Sequence, residues 1–113
     1  MRSTAKVFKA LSDETRLQIL GLVQAHGRLC VCEVQGVLGI SQSKASRHLR
    51  YLRDAGLLED EREGAIVNYA VPAEPSAEVG LILGMLPSLL PEHDLPDAQP
   101  VLVELRLARS GAG

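Results

Sequence analysis

Residues 29–56 read LCVCEVQGVLGISQSKASRHLRYLRDAG, and the periodicity of this stretch decides the fold. Val31, Val34 and Leu38 recur at spacings of three and four, so its first part is a short helix with one apolar stripe. Gly39 stops that helix, because glycine accepts the left-handed conformation that closes a helical end. Ser41 then offers an oxygen to a free amide of a second helix. The turn is therefore Gly39-Ile40-Ser41, with Ile40 filling the angle between two helices. In the second helix Ala45, Leu49 and Leu52 follow at i, i+4 and i+7 and face inward.

The outer face of the second helix holds Ser43, Arg47 and Arg50, with Gln42 and Ser46 towards one flank and Lys44 and Tyr51 towards the other. These are the side chains a major-groove reader needs. Arginine presents a two-pronged donor to guanine, glutamine a donor and an acceptor to adenine, and serine and lysine hold phosphates. A solvated surface helix is also polar, but Lys44, Arg47, Arg50 and Arg53 come without an acid until Asp54, and that density favours nucleic acid. Asp54 is placed to pair with Arg50 at i+4. His48 lies at the edge of the buried face and reads as a hydrogen-bonded support or a phosphate contact rather than a metal ligand.

At 113 residues the chain is long enough for one domain with a modest core. Hydrophobic residues make up 46% and aromatics only 3%, which requires an aliphatic, largely helical interior. The formal charge of -2 does not announce a nucleic-acid binder; the placement of the cations does. No stretch is apolar for long enough to span a membrane, and MRSTAKVFKA lacks the apolar core of a signal peptide, so a cytoplasmic protein is expected. No glycine-rich phosphate loop, hydrolase histidine pattern or nucleophile with a base is found, which argues against an enzyme.

Before this unit, residues 4–11 form a short amphipathic start with Val7, Phe8 and Leu11 on one side. Ser12 is expected to cap a second helix, DETRLQILGLVQAHG, ended by Gly27, with His26 exposed in its last turn. After it, LLEDERE and AIVNYAV flank Glu63-Gly64 and read as a β-hairpin. A helix-turn-helix followed at once by a hairpin is the winged-helix arrangement. The expected fold is mainly α with a small β-hairpin wing. The wing is acidic, and Arg62 alone is nominated there for a phosphate.

Residues 72–75 are a linker, and SAEVGLILGMLPSLL is a last helix, apolar on nearly every side, that Pro87 kinks or ends. So much apolar surface in a small chain predicts a homodimer interface on this helix, shared with the N-terminal helix. The expected division is a DNA-binding and dimerisation domain over residues 1–91 and a C-terminal extension over residues 92–113. Within the extension VLVELRL suits a helix or, by its alternation, a strand.

Cys30 and Cys32 stand where the first helix of the unit begins. Two residues apart in a regular helix point about 200° from each other, so both sulfurs reach one small ion only if the first turn is unwound. Thiolates select soft, thiophilic ions. Free cysteine is equally a common small core residue, and chemistry alone leaves both readings open.

The segments KALSDETRLQILGLV, LCVCEV, LGISQSKASRHLRYLRDAGLL and REGAIVNYAV resemble, in that order, the ArsR/SmtB family of winged-helix metal-responsive repressors, most closely its arsenic-sensing branch. The likeness covers about residues 8–71. It implies a homodimeric repressor of an operon, often its own, that leaves operator DNA when As(III) or Sb(III) binds. No organic cofactor is implied. Cys30 and Cys32 correspond to the first two thiols of the family's C-V-C-x-x-C box, and residues 42–53 to its recognition helix. Gln35 stands where the third cysteine would, so an exogenous thiol, hydroxide or nothing completes the site. The family's cadmium and lead sites draw cysteines from an N-terminal arm, and residues 1–11 have none. Its zinc sites need His and carboxylate pairs on the last helix, whereas His93 with Glu92 and Asp94 is a lone cluster.

The sequence therefore predicts metal ligation by Cys30 and Cys32 and DNA contacts by Gln42, Ser43, Lys44, Ser46, Arg47, Arg50 and Arg62. The expected partner is an imperfect palindrome whose successive major grooves lie about 34 Å apart. The competing readings are a redox-responsive or other thiophilic-metal-responsive winged-helix regulator, and a winged-helix protein-interaction module.

Overall fold

The computed structural model describes residues 2–110. In chain order its elements are α1 (Arg2–Leu11), α2 (Glu14–His26), β1 (Arg28–Cys30), α3 (Val31–Leu38), α4 (Gln42–Asp54), β2 (Glu59–Glu63), β3 (Ile66–Ala70), α5 (Ala77–Leu89), a 3-10 turn (Glu92–Asp94) and α6 (Gln99–Arg109). α2 runs through the middle. Its Ile19, Leu20, Leu22 and Val23 are fully enclosed, as the apolar cover on several of its faces predicts. Asp13, not Ser12, caps it: the Asp13 carboxylate accepts from the Arg16 amide at 3.0 Å, while the Ser12 hydroxyl turns back to the Lys9 carbonyl. Arg16 also donates to the Ala10 carbonyl at 2.7 Å and covers the Tyr51 ring at 4.1 Å, tying α1, α2 and α4 together.

The helix-turn-helix forms as its sequence demands. Gly39 adopts φ 66°, its amide returns to the Gln35 carbonyl, and the Ser41 hydroxyl accepts from the Lys44 amide at 3.2 Å. Ala45, Leu49 and Leu52 are wholly buried, and Ile40 is half-buried against the same core. The wing pairs β2 with β3 in the register Glu63↔Ile66 to Glu59↔Ala70, so its turn is Gly64-Ala65 rather than Glu63-Gly64. Gly64, at φ 64°, supplies the left-handed first position of that turn.

The third strand is an addition to the hairpin. β1 pairs antiparallel with β3 on the side away from β2, with Cys30 opposite Asn68, giving the order β1-β3-β2. Four further expectations are corrected. Asp54 pairs with its neighbour Arg53 at 3.1 Å, not with Arg50. Phe8 is exposed, and Val7 with Ala10 forms the buried side of α1. His26 is half-buried rather than exposed. α5 continues through Pro87 to Leu89, so the proline does not end it.

α5 keeps Val79, Ile82 and Leu86 inside and leaves Leu81, Met85 and Leu89 exposed along one stripe. Thr4 donates to Glu78 at 2.6 Å, holding α1 beside the start of α5. The VLVELRL run is helix. Ala98 and Leu102 enter the common core, and α6 approaches α3 so closely that a Cβ on Gly36 would stand 2.6 Å from Val101. None of the described helices is long and apolar enough to cross a membrane.

Candidate metal centre and nucleic-acid interface

The two thiols meet at the junction of β1 and α3. Because Cys30 is the last residue of a paired strand, its backbone is extended, at φ -89° and ψ 168°, and it serves as the N-cap of α3. Cys32 is the second residue of that helix. The 200° separation that applies inside a helix therefore does not apply to this pair, and the two sulfurs lie 2.8 Å apart. No unwinding is needed for both to reach one ion, which corrects the expectation of a distorted first turn. Both cysteines are free; Cys30 is buried and Cys32 is exposed. Burial, followed by the hydrogen bond to Cys32, pushes the Cys30 thiol up to about 11.

Glu33 organises this end of α3. It occupies the third helical position, where its carboxylate accepts from the Cys30 amide at 2.9 Å, the reciprocal half of a capping box. Its second oxygen accepts from Arg106 Nε at 2.8 Å and Arg109 Nη2 at 2.7 Å, both on α6. Burial alone would raise its pKa. The Arg106 hydrogen bond, the Cys30 amide and the charges of both arginines outweigh that and hold the carboxyl below its ordinary value. Arg106 further donates to the Arg28 carbonyl at 3.3 Å, and Arg109 Nη1 reaches Cys30 Sγ at 3.2 Å. Thus β1, α3 and α6 converge on the thiol pair.

On the other side the sulfurs open into a groove of about 450 Å³ between α4 and the wing. Of the residues expected at DNA, Gln42, Ser46 and Arg50 from α4 and Arg62 from β2 line this groove together with Cys30, Cys32 and Gln35. Ser43, Lys44 and Arg47 are exposed on α4 outside it. Among the described residues, the side chains of Lys44, Arg47, Arg50 and Arg62 make no ion pair or hydrogen bond, leaving their charge for a ligand. Arg53, by contrast, is held by Asp54 and by Asp60 of β2 at 3.0 Å.

The hydrogen-bonded support expected of His48 is not seen among the described residues. The side chain is buried on α4, and its Nδ1 has no hydrogen-bond partner there. His93 is exposed and, among the described residues, pairs with Asp94 alone, at 3.5 Å. Among the described residues no group of three or more His, Cys, Asp or Glu side chains is arranged around an ion. Two sulfurs fit a soft ion better than magnesium or calcium.

Three contributors were not anticipated from the sequence: Glu33, Arg106 and Arg109. Glu33 had a legible signal, its capping-box spacing from Cys30. The arginines had none, because their partner lies 73 and 76 residues away.

Comparison with known proteins follows the same lines. The sequence profile described as bacterial regulatory protein, arsR family, matches residues 13–60. The arsenic resistance transcriptional regulator ArsR1 of Pseudomonas putida is 42% identical over 105 residues, spanning 93% of this chain and 77% of the relative. The arsenical resistance operon repressor of Escherichia coli is 50% identical over 64 residues, 57% of this chain and 55% of that protein. Among solved structures, the homodimeric winged helix-turn-helix DNA-binding domain of a possible ArsR-family regulator from Mycobacterium bovis superposes with a TM-score of 0.66 at 32% identity, covering 81% of this chain and 82% of that one.

Proposed function

The chain belongs to the arsR family of bacterial regulatory proteins, and from that premise we propose that it is a homodimeric, cytoplasmic repressor of an arsenic-resistance operon. In this reading α4 enters the major groove of an imperfectly palindromic operator. Gln42, Arg47 and Arg50 address bases, while Ser43, Lys44, Ser46 and Arg62 hold phosphates. As(III) or Sb(III), taken at Cys30 and Cys32, is the signal for release. Residues 1–91 carry DNA contact and dimerisation, and α6 beyond them serves the thiol site through Arg106 and Arg109. The dimer forms through the exposed stripe of Leu81, Met85 and Leu89 on α5 with Phe8 of α1, large apolar side chains left in water by the single chain.

The observation that carries the reading is the 2.8 Å separation of the sulfurs at a place that belongs to two elements at once. Cys30 moves with β1 and hence with the wing, through its pairing with β3; Cys32 moves with α3 and hence with α4. An ion held by both thiols staples the wing to the helix-turn-helix. Since α4 and the wing must both fit one stretch of duplex, fixing their relation away from the DNA-bound one lowers affinity for operator. A mobility-shift assay on the DNA upstream of the gene tests this: arsenite and antimonite release the protein at lower concentration than cadmium or zinc. Equal indifference to all four ions would defeat it.

A second reading, oxidation of the thiol pair, draws on the same short distance between the sulfurs. It is separated by repeating the arsenite titration under strong reducing conditions, where a redox regulator stays on DNA.

A further inference from the structure

We propose that Arg109 holds the third position of a trivalent ion at Cys30 and Cys32, by donating to a hydroxyl that remains on the ion. This rests on the thiol reading above and goes beyond it by assigning the ligand that the missing third cysteine leaves open.

The geometry on the α6 side supports the assignment. One prong of the Arg109 guanidinium is spent on Glu33, at 2.7 Å, and the other reaches Cys30 Sγ at 3.2 Å. Glu33 is itself fixed by Arg106 and by the Cys30 amide, so the guanidinium is aimed and not free to swing. A guanidinium only donates, so whatever it meets beside a bound ion must be an acceptor. Gln35, at the position of the absent thiol, offers an amide, which is a poor ligand for a soft ion.

The chemistry leaves the acceptor in place. Arsenous acid carries three hydroxyls. When it meets two thiols, two As–S bonds form and two As–O bonds break. The two thiol protons leave with two of the hydroxides as two waters. No oxidation state changes, and one hydroxyl stays on arsenic. Arg109 stabilises that oxygen through a charge-assisted hydrogen bond. Arg109 is thus a positioning residue for the oxygen that completes the site.

The test compares arsenite with phenylarsine oxide, in which a carbon fills the third position and no hydroxyl survives double thiol binding. The full-length protein is titrated with each, following the near-ultraviolet absorbance of the arsenic–sulfur bonds, and arsenic coordination is read by X-ray absorption. The wild type is expected to bind both, with two sulfurs and one oxygen around arsenite. Arg109→Ala should weaken arsenite binding about tenfold and leave phenylarsine oxide unchanged, and Arg109→Lys should recover part of the loss. Arg106→Ala controls for loosening of α6, since Arg106 shares Glu33 but does not touch Cys30; it should keep the wild-type ratio. Equal weakening of both ligands in Arg109→Ala, no weakening of either, or three sulfurs around arsenite would overturn the assignment while leaving the thiol site intact. A wild type that binds neither arsenical would overturn both.

Discussion

The Glu33 carboxylate, enclosed at the start of α3, accepts from Arg109 of α6 at 2.7 Å, so the last helix is latched to the residue that caps the thiol-bearing turn. The latch joins the first and last parts of the site across 76 residues of chain. Its acid is buried while both arginines are partly in water, so its worth lies between that of a surface pair and a buried one.

Removing the charge leaves the Arg106 and Arg109 guanidiniums without the carboxylate they share, while a glutamine side chain still offers the Cys30 amide an acceptor oxygen. Glu33→Gln should therefore cost about 2 kcal/mol of stability in a denaturant melt, and hydrogen exchange should accelerate along α6 first. Unchanged α6 protection in this variant would mean that the helix is held by Ala98 and Leu102 alone.

The arginines of α4 should not be equivalent. Arg47→Ala and Arg50→Ala each should cost about 1 to 3 kcal/mol in operator binding if they reach bases. Arg53→Ala should cost less than either, because its guanidinium is already engaged by Asp54 and Asp60. Fluorescence anisotropy on operator and scrambled duplexes at fixed salt decides this, since salt alone moves affinity through phosphate contacts. Equal losses for all three, on both duplexes, would reduce α4 to a phosphate contact.

The stripe of Leu81, Met85 and Leu89 should be the dimer seam. A charge introduced by Leu81→Glu has no partner there and should shift sedimentation from dimer to monomer at micromolar concentration. A dimer that survives this change would place the interface elsewhere.

His48 should make stability depend on pH. Its burial, then the charges of Arg16, Arg47 and Lys44, lower its pKa from the ordinary 6.5, with Asp13 pulling the other way. The unfolded chain thus takes up a proton near pH 6.5 that the folded protein accepts only at lower pH. The contribution is complete above that pH and is lost as the pH falls through the folded pKa. Chemical melts at pH 7.5 and 5 should show this loss in the wild type and a smaller one in His48→Gln.

What the sequence discloses and what it hides follow one physical division. The Gly39 stop, the Ser41 cap and the Ala45, Leu49, Leu52 stripe are local, and each is legible from spacing alone. The wing is legible because β-branched residues and a glycine turn occupy adjacent segments. β1 is not: three residues, RLC, carry no periodicity, and they become a strand only because β3 offers an edge nearly forty positions later. That single strand changes the chemistry, since it turns Cys30 from a helical residue into an extended cap and brings its sulfur to Cys32. The VLVELRL run is hidden for a related reason. Its alternation suits a strand, but Leu102 and the close approach of Val101 to Gly36 are satisfied by a helix laid on α3. Tertiary contact decided both cases, against or without a local preference.

The most direct test of the thiol staple is an anisotropy titration of operator-bound protein with arsenite under reducing conditions, comparing wild type with Cys30→Ser and Cys32→Ser. The expected result is that all three bind operator within a few-fold of one another and only the wild type is released. Release of either serine variant at the wild-type arsenite concentration would contradict it, because one sulfur cannot join the wing to the helix-turn-helix.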